Sequence, residues 1–168
     1  HGVPVTIVVP EGNSPDKNAS MAGFGTELVV HGRDFQEAVE HAMALAAAHD
    51  LVPVPSFHRD LVAGVATGAA ELHAQAGHLD VVYVPVGLGS GICAHMAVRD
   101  LLGVGTEVVG VVADRAPAHA LSFEAGRPVS TPEADTFVGG VATRTPVAEA
   151  VAAMVAGAAR FVRVAEEE

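Results

Sequence analysis

Apolar and polar positions along the chain alternate between two patterns. Val5-Thr6-Ile7-Val8-Val9 is a continuous β-branched run closed by Pro10. Such a run suits a strand covered on both faces, as in a parallel sheet. After the turn Glu11-Gly12-Asn13, Ser14-Pro15 supplies an N-cap and a proline at the first helical position, and a short helix is expected from Pro15 to about Gly23. Thr26 to Val30 reads as a second strand, stopped by Gly32. Asp34 with Glu37 three residues on resembles a capping box, and the helix it opens runs to about His49, with Phe35, Val39, Met43 and Ala46 near one face. Leu51 to Val54 reads as a short strand ended by prolines.

Asp60 is expected to open the next helix, through Leu61, Val65, Leu72 and Ala76 to a glycine stop at Gly77. Val81 to Val86 is the strongest strand signal, Gly87 to Gly91 a glycine loop, and Ile92 to Leu102 a helix stopped by Gly103. Glu107 to Val112 is again a β-branched strand. Signals weaken from Ala113 to Thr145, where Thr131-Pro132 and Thr145-Pro146 repeat the cap-plus-proline pattern. Val147 to Gly157 reads as a helix and Phe161 to Val164 as a last strand. The alternation predicts an α/β protein of three layers, with a mainly parallel sheet and helices on both faces. The two prolines of Pro53-Val54-Pro55 mark the one lobe boundary, giving segments 1–53 and 54–168.

Composition narrows the function classes. Half of the 168 residues are apolar and 17% are charged, which excludes intrinsic disorder. Lys and Arg total 9 against a net charge of −11, with no basic cluster, so a nucleic-acid role is not expected. No apolar run reaches the ~18 residues of a membrane span, because glycines and Pro85 break the best candidate. The lone cysteine, Cys93, fits a reducing compartment. No basic start or small-residue cleavage pattern marks a signal peptide. The chain opens on His1-Gly2 directly before a strand, which raises the expectation that it is a piece of a longer protein.

Candidate chemistry concentrates in Val81-Val82-Tyr83-Val84-Pro85-Val86-Gly87-Leu88-Gly89-Ser90-Gly91-Ile92. A strand feeds a glycine-rich turn that opens a helix. Glycines let the backbone approach a ligand, and the unpaired N–H groups of a first helical turn favour an anion. Ser90 adds a hydroxyl donor. The dinucleotide fingerprint fails because its sixth place is Ile92, and the Walker pattern fails for want of a lysine. On spacing alone, a phosphate site and a merely tight turn stand about equal.

The run from Val84 to Ile92 resembles the phosphate-binding glycine loop of the threonine/serine dehydratases, which are tryptophan synthase β-like, fold type II pyridoxal-phosphate enzymes. Further blocks are similar in the same order: Gly2 to Pro10 followed by Ser14-Pro15-Asp16-Lys17, then Phe24 to Val29 with His31-Gly32. Gly64-Val65-Ala66-Thr67 stands where the family usually has Gly-Gln-Gly-Thr, and Val108-Val109-Gly110-Val111 resembles a family strand. The resemblance covers essentially the whole chain. It implies a two-lobed enzyme, with 1–53 the end of the small lobe and 54–168 part of the large lobe. It implies pyridoxal 5'-phosphate as cofactor, with Gly87, Leu88, Gly89, Ser90 and Gly91 on the cofactor phosphate.

The same resemblance implies what this chain lacks. The family's Schiff-base lysine lies upstream of the first matching block, and Lys17, the only lysine, falls in the Ser-Pro-x-Lys block instead. No catalytic residue is therefore expected within the chain, which reads as the interior of such an enzyme. Some relatives carry a divalent-cation site, but its carboxylate positions correspond to Val112 and Ala118, with Asp114 off register, so no metal is expected. Gly139 stands where the family often has an aspartate.

Other residues are read conservatively. The nine histidines do not fall one helical turn apart in pairs, so they are expected at the surface or half-buried rather than on a metal. Cys93 is expected to be an alanine-like buried thiol despite its place near a helix start. Ser90 does not sit in a nucleophile-elbow frame. Glu166 to Glu168 reads as a solvated end.

The resemblance implies a cytoplasmic, homo-oligomeric ammonia-lyase for serine, threonine or a related 3-hydroxy amino acid, with the chain alone inactive. Two alternatives stay open. One is an amino-acid racemase or a cysteine-synthase-like β-replacement enzyme of the same fold. The other is a non-catalytic α/β module that binds a phosphate ligand.

Overall fold

The computed structural model describes residues 2–166. The chain divides into two compact units, residues 1–54 and 55–168.

The first unit contains β1 (Thr6–Val9), α1 (Pro15–Gly23), β2 (Glu27–Val30) and α2 (Phe35–His49). β1 and β2 pair in parallel, Thr6 opposite Glu27 and Val9 opposite Val30. The two helix starts follow their local chemistry. The Ser14 hydroxyl accepts from the Lys17 N–H with Pro15 behind it, and the Asp34 carboxylate accepts from the Glu37 N–H at 2.9 Å. The Glu37 carboxylate reaches back to the N–H of Arg33, one residue before the cap. The expected strand from Leu51 to Val54 does not form. Leu51 instead donates to the Ala46 carbonyl at the helix end, and Val52 and Val54 stand exposed. Pro53 and Pro55 have no amide hydrogen to offer a neighbouring strand.

The second unit contains α3 (Arg59–Ala76), β3 (Val81–Pro85), α4 (Ser90–Leu102), β4 (Glu107–Ala113), α5 (Ala118–Ala125), a 3-10 turn (Gly139–Val141), α6 (Ala148–Gly157) and β5 (Arg160–Val164). The strand order is β3-β4-β5, and both pairings are parallel. The α/β class with parallel sheets is thus as the alternation predicts. The core gathers Val82, Val84 and Val86 from the β3 segment, Val108 and Val112 from β4, Ile92, Cys93 and Met96 from α4, and Ala150 and Met154 from α6. Gly110 lies opposite Phe161 in the register, and a Cβ there would stand 2.5 Å from the Phe161 ring. That ring leans on Phe123, with centroids 5.0 Å apart.

Two signals in the weak stretch misled. α5 has no polar cap and little face contrast, yet it forms because Ser122, fully buried, donates to the Ala118 carbonyl at 2.6 Å and accepts from the Val129 N–H at 2.9 Å. Thr131-Pro132 opens no helix. Its hydroxyl bonds the Glu133 carbonyl and its N–H bonds Arg144, which closes a turn. α3 starts one residue before Asp60, with the His58 ring accepting from the Asp60 N–H. Glu166 is no freely solvated residue, since it accepts from the Thr136 hydroxyl at 3.0 Å; Glu167 and Glu168 lie outside the described residues.

The histidines also need correction. His73 and His119 are buried, the latter at 1% exposure with neither ring nitrogen paired. His73 shares the buried face of α3 with Ala69, and His119 lies among the buried Ala118, Ala120 and Ser122 of α5. Burial pushes His119 down to about 4 from its ordinary 6.5, and burial followed by the neighbouring His73 lowers His95. As pH falls from 6.5 towards 4, the unfolded chain takes up a proton that folded His119 refuses, so stability is lost in that window. The loss from His119 alone is about 3 kcal/mol. Urea titrations at pH 7 and pH 4.5 check this: His119→Leu should lose less stability between the two than the parent chain, and equal losses would contradict it.

Candidate functional site

β3 ends at Pro85, and the chain passes through Val86, Gly87, Leu88 and Gly89 into α4. The helix begins at Ser90, two residues earlier than the sequence suggests, so Ser90, Gly91 and Ile92 form its first turn. Gly89 is the cap residue. Its φ of +102° lies where only glycine sits without strain, and it has no side chain to cap the helix.

The hydrogen-bond accounting around this turn is asymmetric. The Val86 N–H donates to the Val111 carbonyl at 2.8 Å and the Cys93 N–H to the Gly89 carbonyl at 3.0 Å. Between them, the N–H groups of residues 87–92 meet no acceptor among the described residues. Gly89 and Ile92 are buried and the others half-buried. The Ser90 hydroxyl likewise has no partner among the described residues. Each unanswered buried donor costs about 1–3 kcal/mol. A run of them converging at a helix start fits one anion with several acceptor oxygens, to which the helix adds about half a positive charge. No acidic residue stands in the first turn of α4 to oppose it. Gly87, Leu88, Gly89, Ser90 and Gly91 are therefore brought together on one strand-to-helix turn with their donors free.

The glycines have unequal reasons to be there. A Cβ on Gly87 would collide with the Gly140 carbonyl oxygen. A Cβ on Gly89 would meet Met154 Cε at 2.5 Å and Ala150 Cβ at 3.2 Å. A Cβ on Gly91 would make only an ordinary contact of 3.5 Å with Val84. Sequence reading did not anticipate the segment behind the turn. The 3-10 turn Gly139–Val141 backs onto Gly87, and buried Thr143 donates its hydroxyl to the Gly87 carbonyl at 3.0 Å. Nothing local marks Thr143, because its partner lies 56 residues away.

The remaining candidates resolve simply. Burial, then Glu149, pushes the Cys93 thiol up to about 11, so it is a packed, unreactive group. It floors a shallow cavity of about 250 Å³ with Phe57, Arg59 and Glu149. Val112 and Ala118 are buried and their side chains carry no oxygen; no group of three or more His, Cys, Asp or Glu side chains placed to hold a metal occurs among the described residues. Lys17 is exposed in the first turn of α1, on an open groove of about 550 Å³ with Asn13, Asp16 and Ser20. No helix of the described residues is long and apolar enough to cross a membrane.

These contacts rank the loop glycines. Gly87→Ala and Gly89→Ala should each lower the unfolding free energy by about 2–3 kcal/mol, while Gly91→Ala should stay within about 0.5 kcal/mol of the parent. Denaturant titration reads all three, and a Gly91→Ala loss equal to the others would overturn the ranking.

The family described as "Pyridoxal-phosphate dependent enzyme" matches residues 1–168. The biosynthetic L-threonine dehydratase of Salmonella typhimurium is 39% identical over 146 residues, covering 85% of this chain and 28% of that protein. The L-threo-3-hydroxyaspartate ammonia-lyase of Saccharomyces cerevisiae is 31% identical over 143 residues, covering 84% and 44%. Among solved structures, the processed form of threonine deaminase isoform 2 from Solanum lycopersicum superimposes with a TM-score of 0.86 at 27% identity, covering 96% of this chain and 48% of that one. The chain therefore spans less than half of the length of these relatives. With residues 1–168 matched, this chain belongs to the pyridoxal-phosphate dependent enzyme family.

Proposed function

We propose that this chain is the phosphate-holding part of a pyridoxal-phosphate-dependent ammonia-lyase acting on threonine, serine or a related 3-hydroxy amino acid. The observation that carries the reading is the row of unanswered N–H groups at residues 87–92. The monoester phosphate of the cofactor has the oxygens to answer them, and the Ser90 hydroxyl adds a donor. The bound ring would supply an electron sink for the charge left at the amino acid Cα when its proton departs, which lets the β-hydroxyl leave.

Within this chain, residues do positioning rather than bond-breaking. The turn fixes the phosphate and hence the direction of the ring. The buried valines of β3 and β4 fix the turn. The family resemblance puts Lys17 in the Ser-Pro-x-Lys block rather than at the anchoring amine, and on that resemblance the amine belongs to other polypeptide, with residues 1–53 and 54–168 parts of a small and a large lobe. Ammonia-lyase is favoured over racemase because the threonine dehydratases reach 39% identity, whereas the maize serine racemase is 17% identical and informs on the fold alone. The reading carries with it a homo-oligomeric enzyme of the reducing cytoplasm, where Cys93 stays a free thiol.

Equilibrium dialysis of the 168-residue chain tests the site. Pyridoxal phosphate should be retained and displaced by inorganic phosphate, and pyridoxal without the phosphate should not be retained. Ser90→Ala should weaken retention about fivefold, and Lys17→Arg should leave it unchanged. With threonine added, no 2-oxo acid should form. Equal retention of pyridoxal, or catalytic release of oxo acid, would contradict the reading.

A further inference from the structure

Thr143 lies just beyond the 3-10 turn that backs onto the glycine loop, and the residue is 7% exposed. Its hydroxyl donates to the Gly87 carbonyl at 3.0 Å. We infer that Thr143 is a positioning residue for the anion cradle: by holding the Gly87 carbonyl on the side away from the ligand, it aims the Leu88 N–H into the site.

Peptide planarity links the two groups. In a trans peptide the C=O of one residue and the N–H of the next point in opposite directions within one plane. The peptide between Gly87 and Leu88 is trans, since no cis bond occurs among the described residues. Fixing the Gly87 oxygen on Thr143 therefore fixes the Leu88 hydrogen on the opposite side, where it meets no protein acceptor. Glycine at 87 can rotate freely about its own backbone bonds, so without such a tie the plane is free to flip. The flip would present a carbonyl oxygen, with its partial negative charge, to a phosphate.

Two further contacts show that the loop is held from this side. The Gly140 carbonyl lies so close to Gly87 that no Cβ fits between them. The Gly89 carbonyl is tied to the Cys93 N–H at 3.0 Å, which by the same geometry turns the Ser90 N–H outward. Helix formation supplies the second tie automatically. The first depends on one side chain, because no helix or strand bond reaches Gly87. A hydrophobic residue of the same shape at 143 would fill the space and leave the carbonyl without its donor.

The inference rests on the proposed phosphate site. Its test uses the 168-residue chain, with pyridoxal phosphate as the probe and isothermal titration calorimetry as the readout. Thr143→Val should weaken binding about five- to tenfold, and Thr143→Ser, which keeps the hydroxyl, should restore it to within about twofold of the parent. The thermal midpoints of the two variants separate positioning from packing. A structural role alone predicts that affinity tracks the midpoint, whereas positioning predicts that Ser, which loses a buried methyl, binds better than Val even where it melts lower. If the parent binds and Thr143→Val binds equally well, the inference falls and the phosphate reading stands. If Thr143→Ser binds as poorly as Thr143→Val, the inference also falls. If the parent binds no pyridoxal phosphate, both fall together.

Discussion

A backbone amide taken out of water must find an acceptor, and the start of α4 leaves a row of buried and half-buried amides without one among the described residues. The rest of the second unit can be understood as what holds that row in place. The strand delivers the chain to one point, a glycine in left-handed conformation turns it, and the helix begins with its donors pointing back along the axis. The proposed phosphate group would complete the accounting. On the proposed reading, this chain contributes a fixed set of backbone dipoles to the cofactor phosphate.

The scaffold is arranged to keep those dipoles still. Val82, Val84 and Val86 lock β3 against α4 and α6, and Met154 packs where a side chain on Gly89 would otherwise lie. Gly110 lets Phe161 close over the sheet, and the Phe123 contact ties α5 to the same layer. Buried imidazoles are part of this packing. His119 occupies a wholly buried place as a neutral ring, which makes the core sensitive to acid although it is mostly apolar. The first unit is held differently, with few fully buried side chains but well-satisfied helix starts at Ser14 and Asp34.

Much of this is legible in the sequence alone. β-branched runs at Val5–Val9, Val81–Val86 and Glu107–Val112, alternating with alanine-rich stretches, carry the α/β class; the expected cover on both faces holds for β4 alone, since β3 alternates buried Val82 and Val84 with exposed Tyr83 and Pro85, and β1 buries only Val9. The glycine loop is legible because its conformation demands glycine locally. What escapes are features set by distant partners. Leu51–Val54 has strand composition, but Leu51 is taken up by the Ala46 carbonyl, and Pro53 and Pro55 offer no amide hydrogen. Thr131-Pro132 has cap chemistry, yet its hydroxyl finds Glu133. α5 depends on Ser122 bonding a later loop, and Thr143 on a carbonyl far back in the sequence. The burial of His119 is equally hidden, because an imidazole in an alanine-rich helix looks the same whether it faces solvent or core.

The central claim is that the amides of residues 87–92 grip a phosphate monoester. Amide-resolved nuclear magnetic resonance of the chain during addition of pyridoxal phosphate addresses it directly. Saturable downfield shifts are expected for the N–H signals of Leu88, Gly89, Ser90 and Gly91, with those of Val86 and Cys93, already paired, moving far less. Saturable shifts that cluster elsewhere and leave residues 87–92 unmoved would contradict it.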